Sequence, residues 1–309
     1  MNVDRGQLFS VVKVAVIAFS VYYLHETVPF TDVVSVVTIP SRFELFAASV
    51  TVIATTLLTS RILQLLASPY ADIPLPVFAK IYVMNFSLNS FIPSKAGSLL
   101  TMPFLIDRNT DIEKKDGLNI QLTNLVLTAV TLGTTTLVGL LALVSILEYE
   151  IALVLFSSGM AYLAIPVLSL GLHSTANVPI VDVPIDRLDY ATFDRSLIAK
   201  CFLLTILTVV CIVGLRFAIV TSSVGVSFPV AYYFVIPVLV YAVSVLPISV
   251  GGIGISELTG TNVLIALGVE PDVAAAIILL DRSISFYIPV VLAYIYTMTE
   301  LRQYENSIY

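Results

Sequence analysis

The feature that most limits what this chain can fold into is the recurrence of apolar runs about as long as a bilayer is thick. They fall at about residues 7 to 24, 44 to 68, 74 to 92, 119 to 147, 151 to 171, 197 to 221, 229 to 248 and 274 to 298, and a membrane-spanning helix needs about 20 apolar residues. Composition excludes a soluble globule: 58% of the 309 residues are hydrophobic and 12% are charged, against about 45–50% and 25% in an ordinary soluble domain. The chain therefore reads as an all-α polytopic membrane protein, with residues 1–309 forming a single membrane domain. A net charge of −6 argues against a basic surface for nucleic acid. Cys201 and Cys211 share one run, about 15 Å apart along a helix, too far for a disulfide. His25 and His173 have no Cys or acidic neighbours at metal-ligand spacing, and no Gly-rich phosphate loop occurs. No metal, nucleotide or other cofactor is therefore expected.

The first run carries Lys13 and lacks a small-x-small cleavage signature, so it is expected to remain as a first helix. The third and seventh runs end in punctuated stretches, Phe91-Ile-Pro-Ser-Lys-Ala-Gly97 and Val245-Leu-Pro-Ile-Ser-Val-Gly-Gly-Ile-Gly254, each followed by a further short apolar piece. Each predicts a helix that breaks and turns back. Short loops rich in Lys and Arg stay cytoplasmic, which places Arg5, the loop 107 to 118 with Arg108, Lys114 and Lys115, the loop 172 to 196 with Arg187 and Arg195, and Arg302 inside. The connections with Glu148 and Glu150, with residues 222 to 228, and with Glu270 and Asp272 carry no Lys or Arg and go outside, as does 25 to 43 with only Arg42. These assignments close only if the third and seventh runs are re-entrant hairpins. The expectation is about six full spans plus two hairpins, in the cell membrane, with both termini cytoplasmic.

That topology makes the halves, about 1–147 and 148–309, upside-down copies. Ser90-Phe-Ile-Pro93-x-x-x-Gly97 matches Ser244-Val-Leu-Pro247-x-x-x-Gly251 at an offset of 154, and Arg61 stands 155 residues before Arg216. Inverted repeats with broken helices at their interface are a common transporter plan.

Arginine at a helix centre costs roughly 2.5–3.5 kcal/mol by insertion scales, so Arg216 and Arg61 are candidate contacts for a lipid or an anion. A helix that begins inside the membrane aims unpaired N–H groups and the positive end of its dipole inward. This makes Ser94, Lys95 and Gly97 at the first tip, and Gly251, Gly252 and Gly254 at the second, candidate anion sites. Glu257 follows the second tip, and Asp281 and Arg282 lie within the last span. Adjacent residues do not share a helix face, so Asp281 and Arg282 are each expected to meet another helix. Glu257 is expected to pair with Arg216 or Arg282, as a structural ion pair or a proton relay. Lys13, Lys80 and the acids Asp182, Asp186, Asp189 and Asp194 read as interfacial or solvated. The sequon Asn85-Phe-Ser87 lies inside an apolar run and is not expected to be glycosylated.

These residues resemble the transmembrane, flippase-like region of lysylphosphatidylglycerol synthases and the stand-alone membrane proteins similar to it. Arg61 and Asn89-Ser-Phe-Ile-Pro-Ser-Lys-Ala-Gly97 carry the resemblance. So, most specifically, does Leu246-Pro-Ile-Ser-Val-Gly-Gly-Ile-Gly-Ile-Ser-Glu257, followed by Leu267-Gly268 and Asp281-Arg282. At the first tip the chain departs from the family's Gly-Glu and following basic residue, having Gly97-Ser98 and Thr101. The resemblance implies movement of an anionic phospholipid or other amphipathic lipid between leaflets, with aminoacyl transfer done by a separate soluble domain. The polar loops here are too short to form such a domain, so the chain is expected not to be an enzyme. Alternatives are a transporter or channel for a small polar anion, and a non-catalytic membrane partner of a separately encoded lipid-modifying transferase. A homo-oligomer is compatible with each.

Overall fold

The computed structural model describes residues 40–90, 97–175, 193–245 and 252–308. The first run at 7 to 24, with Arg5, Lys13 and His25, lies outside the described residues, as do Ser94, Lys95, Asp182, Asp186, Arg187, Asp189 and Gly251.

Among the described residues all regular structure is helical, the form in which a chain in hydrocarbon satisfies its own backbone. The helices are α1 (Arg42–Ala67), α2 (Leu75–Ser90), α3 (Gly97–Asn109), α4 (Lys114–Leu143), α5 (Tyr149–Thr175), α6 (Arg195–Ser223), α7 (Val230–Ala242), α8 (Ile255–Ala266) and α9, which opens at Pro271 and runs to Ile308. Five stretches are long and apolar enough to cross a membrane: α1, α4, Tyr149–Pro166 of α5, α6, and Pro271–Glu300 of α9; α7 is shorter but also apolar. Their outer faces expose Phe43, Ile53, Leu141, Leu203 and Leu292. That pattern would be costly in water and costs nothing in lipid, which is as apolar as leucine.

Helix starts follow local chemistry. The Ser41 hydroxyl accepts from the Glu44 amide at 3.3 Å while the Glu44 carboxylate accepts from the Ser41 amide at 2.7 Å, a capping box that opens α1. Asp194 caps α6 through the Ser196 amide. Two helices change winding part-way: α6 is π-helical over Leu207–Ile212, and α9 over Ser283–Tyr287.

The third and seventh runs do break. α2 is followed by α3, which packs on it, and α7 by α8, which packs on it. α2 lies against α1 and the Ile288–Ile308 part of α9; α7 lies against α4 and the Val213–Ser223 part of α6. α3 packs on α4, α8 packs on the Pro271–Arg282 part of α9, and α1 crosses α6. Each helix pair anchors its own apolar core. One gathers Leu63, Leu66, Phe78, Met84, Ile106 and Ile120. The other gathers Phe217, Leu239, Val263, Leu264, Ile277 and Ile278.

Candidate functional site

Four charges meet in the second half of the chain. The Arg216 guanidinium donates twice to Asp281, Nε to Oδ1 at 2.7 Å and Nη2 to Oδ2 at 3.1 Å, the bidentate arrangement that makes such pairs strong and directional. Arg282 donates from Nε to Glu257 Oε1 at 2.9 Å. The same carboxylate accepts from the Tyr287 hydroxyl at 2.7 Å and, through Oε2, from the Gly254 amide at 2.6 Å. All four charged residues are buried. A buried charge is tolerable only when paired and hydrogen-bonded, and each of these is.

Local structure explains why the partners differ. Successive helical residues point about 100° apart, so Asp281 turns to α6 while Arg282 turns to α8. Gly254 (φ 88°) and Gly252 (φ 77°) adopt left-handed backbone at the start of α8, the region that glycine enters without strain. The Gly254 amide can thus meet an acid in the first turn of the same helix. Glu257 thereby fastens the α8 tip to Arg282, just before the π-helical turn of α9, and to Tyr287, the last residue of that turn. Phe286, inside that π-helical turn, lies under the Arg282 guanidinium at 4.5 Å.

Arg216, Asp281 and Arg282 form one wall of a cavity of about 290 Å³ lined by α1, α2, α3, α4, α6, α7 and α9. Several of the other polar lining residues come in pairs four apart: Thr55 and Thr59 on α1, Asn85 and Asn89 on α2, Asn124 and Thr128 on α4, with Ser285 four after Asp281 on α9. Residues four apart share a helix face, so four helices turn a polar stripe toward one space. Asn85 Oδ1 accepts from the Thr101 hydroxyl at 2.5 Å, while the buried Asn89 Oδ1 has no hydrogen-bond partner among the described residues. Ser98 accepts from Gln121 Nε2 at 3.1 Å and also lines the cavity.

Arg216, Asp281 and Arg282 thus come together, with Glu257 directly behind Arg282. Glu257 meets Arg282, one of the two partners expected for it, and Asp281 takes Arg216. Arg61 does not reach this cavity. It is exposed, six residues before the end of α1, or about 9 Å of helical rise. Its guanidinium donates to Gln64, whose amide donates in turn to the Ile73 carbonyl at 2.8 Å. Arg216 stands seven residues before the end of α6, so the two arginines match in place along their helices and differ in the face they occupy, Arg216 being buried and Arg61 exposed. Gly252 and Gly254 build the α8 turn and are not among the lining residues, while Gly97 opens α3. Lys80 is not simply solvated: it forms an ion pair with Glu300 of α9, both side chains being about a quarter exposed. The Thr and Asn pairs went unseen in the sequence, although their i, i+4 spacing inside apolar runs was a usable signal.

No individual curated protein matches the chain. A family match covers residues 10–293, which takes in both broken-helix units, the four buried charges and the polar stripes. This multi-pass membrane protein belongs to the family described as the lysylphosphatidylglycerol synthase TM region.

Proposed function

We propose that this protein moves an amphipathic lipid between the leaflets of the cell membrane, holding an anionic head group in the polar cavity. The observation that carries the reading is the cavity itself, in which Arg216, Asp281, Arg282 and the amide and hydroxyl stripes face inward on helices whose outer surfaces are apolar. A head group that leaves water forfeits hydration that hydrocarbon cannot replace, and a continuous polar wall substitutes for it. A phosphate reaching Arg216 competes with Asp281 for the same bidentate face, so occupancy requires the displaced carboxylate to take up a proton or another donor. The family's description, which names a lipid synthase, supports the link to lipid. No bond is made or broken in this scheme. With no nucleotide motif in the sequence, movement is downhill or coupled to an ion.

The reading extends to topology. The run at 7 to 24 makes a sixth span, the α2/α3 and α7/α8 units are re-entrant hairpins, both termini are cytoplasmic, and the halves 1–147 and 148–309 are inverted copies. Recurrence supports this. α2 and α7 have corresponding neighbours, and Asn124 and Thr128 stand 157 residues before Asp281 and Ser285, the same offset as Lys114 from Pro271.

The test is flip of labelled anionic phospholipid in liposomes, with and without purified protein. Protein should accelerate it, and Arg216→Ala should slow it by about tenfold or more, the effect of one lost charge-assisted contact. Equal rates with and without protein, across anionic and zwitterionic lipids, would sink the proposal. Flux of a small anion without lipid would favour the solute-transport alternative.

A further inference from the structure

Beside the polar cavity lies a second one, of about 500 Å³, between α1, α2 and the latter part of α9. We propose that this groove holds an acyl chain of the lipid whose head group occupies the polar cavity. The inference rests on the head-group reading above and adds where the chain goes and from which side the lipid enters.

The groove is apolar and opens to the bilayer. Val52, Ile53, Val83, Ile288 and Leu292 supply its walls, and Ile53 and Leu292, 59% and 62% exposed, sit on its rim. In a membrane the medium outside that rim is acyl chain, so a chain enters the groove without leaving hydrocarbon.

The groove and the polar cavity are joined. Thr55, Tyr82, Phe86 and Ser285 belong to both linings. Tyr82 stacks on Phe86 with centroids 6.5 Å apart, Phe86 meets Phe286 edge-on at 6.2 Å, and Phe286 underlies Arg282. An aromatic partition, with hydrocarbon on one side and guanidinium on the other, reproduces the layout of an amphiphile at its junction. Aromatic faces suit this place because they accept both apolar contact and a cation.

The corresponding crevice beside α7 is closed. A Cβ at Gly139 of α4 would lie 2.3 Å from the Val235 side chain, and one at Gly214 of α6 would lie 2.4 Å from the Phe234 ring, so side chains of α7 fill the space over those glycines, whereas a groove opens beside α2. Lateral entry is therefore on the α2 side.

The proposal is tested with purified protein in nanodiscs containing a phospholipid that bears a photoactivatable group in one acyl chain, with cross-linked peptides mapped by mass spectrometry. Cross-links should concentrate on Val52, Val83 and Pro289 relative to the lipid-facing Val138 and Leu141. Ser49→Trp, which fills the groove from an exposed position, should reduce groove cross-links and lipid flip on the order of tenfold, as expected from displacing about two buried methylenes. Val291→Trp, on the lipid face outside the groove, should change neither. Binding of glycerol 3-phosphate, which has no chain, should survive Ser49→Trp. Cross-links spread evenly over the lipid-facing residues, or unchanged by Ser49→Trp, overturn the groove assignment even if flip is intact. Absence of flip in wild-type protein with groove-centred cross-links counts against transport alone.

Discussion

The α2/α3 and α7/α8 units occupy matching places in the chain, yet they are fastened by different means. α7 is held from both sides by glycine contacts, Gly139 of α4 against Val235 and Gly214 of α6 against Phe234, and Gly260 of α8 brings Ile278 and Val240 equally close. The helices flanking α2, α1 and α9, contain no glycine at all. α2 packs on α9 through Phe86 against Phe286 and the partly exposed Lys80–Glu300 pair, and the groove opens beside these contacts. The cavity wall follows the same division: the first half offers amides and hydroxyls, and the second offers Arg216, Asp281 and Arg282. Side chains packed directly over glycine resist displacement because every shift loses contact or creates overlap, whereas a partly exposed ion pair resists very little. The second half thus carries the charges and the glycine seats, and the first carries the neutral wall and the open groove.

The sharpest break of this comparison is at the charges. Asp281→Ala leaves Arg216 buried without its partner and should cost about 3–5 kcal/mol, read as thermal unfolding of detergent-purified protein. Asn124→Ala, at the matching position of α4, removes only neutral polar contact and should cost about 1 kcal/mol or less. Equal losses would mean that the halves are not divided as described. The double variant Arg216→Met with Asp281→Leu should regain most of the lost stability, since an apolar pair of similar volume often replaces a buried ion pair without cost. It should still fail to flip lipid, which separates the pair's role in the fold from its role in transport.

The glycine contacts come next. Gly139→Ala and Gly214→Ala each force a methyl into an occupied space and should destabilise by about 1–3 kcal/mol, while Lys80→Ala should cost less than about 1 kcal/mol. If α2 is the moving side, Lys80→Ala should raise the flip rate and both alanine variants should leave direction and lipid preference unchanged. A loss of stability from Lys80→Ala as large as from Gly214→Ala would show α2 to be anchored as firmly as α7.

How far these features were readable from residues alone depends on how strongly the bilayer punishes alternatives. The spans and both breaks were legible, because few residues other than apolar ones survive in long lipid-exposed runs and because Pro and Gly clusters end helices. The convergence of Glu257, Asp281 and Arg282 was legible for the same reason: unpaired charge at membrane depth is too costly to persist. The cavity's neutral wall was not, since threonine and asparagine inside a span also satisfy themselves on their own backbone, as Thr205 and Thr208 do on Cys201 and Leu204. The π-helical turns Leu207–Ile212 and Ser283–Tyr287 have no distinguishing composition; tertiary contact, not local preference, sets such insertions. Arg61 and Arg216 share register, but register does not tell which face of the helix a side chain takes, and Arg61 is exposed where Arg216 is buried.

The smallest expected effects lie at the helix starts. Ser41 and Asp194, 153 residues apart, cap α1 and α6 with different chemistry. Ser41→Ala removes a hydroxyl acceptor and should cost about 1 kcal/mol, a difference that should hold across mildly acidic pH because the hydroxyl does not titrate. The Asp194 carboxyl is held below the usual carboxylate range, chiefly by the Ser196 hydroxyl and also by the Ser196 and Arg195 amides and Lys200. Unfolding releases those contacts and raises its pKa. The stabilisation from this cap is therefore complete above the ordinary carboxylate pKa and disappears as pH falls through the depressed folded value. Melting curves of wild type and Asp194→Ala should differ at neutral pH and converge as the solution is acidified, while those of Ser41→Ala stay apart from wild type. Convergence of the Ser41→Ala curves instead would place the titrating cap at α1 and reverse the assignment.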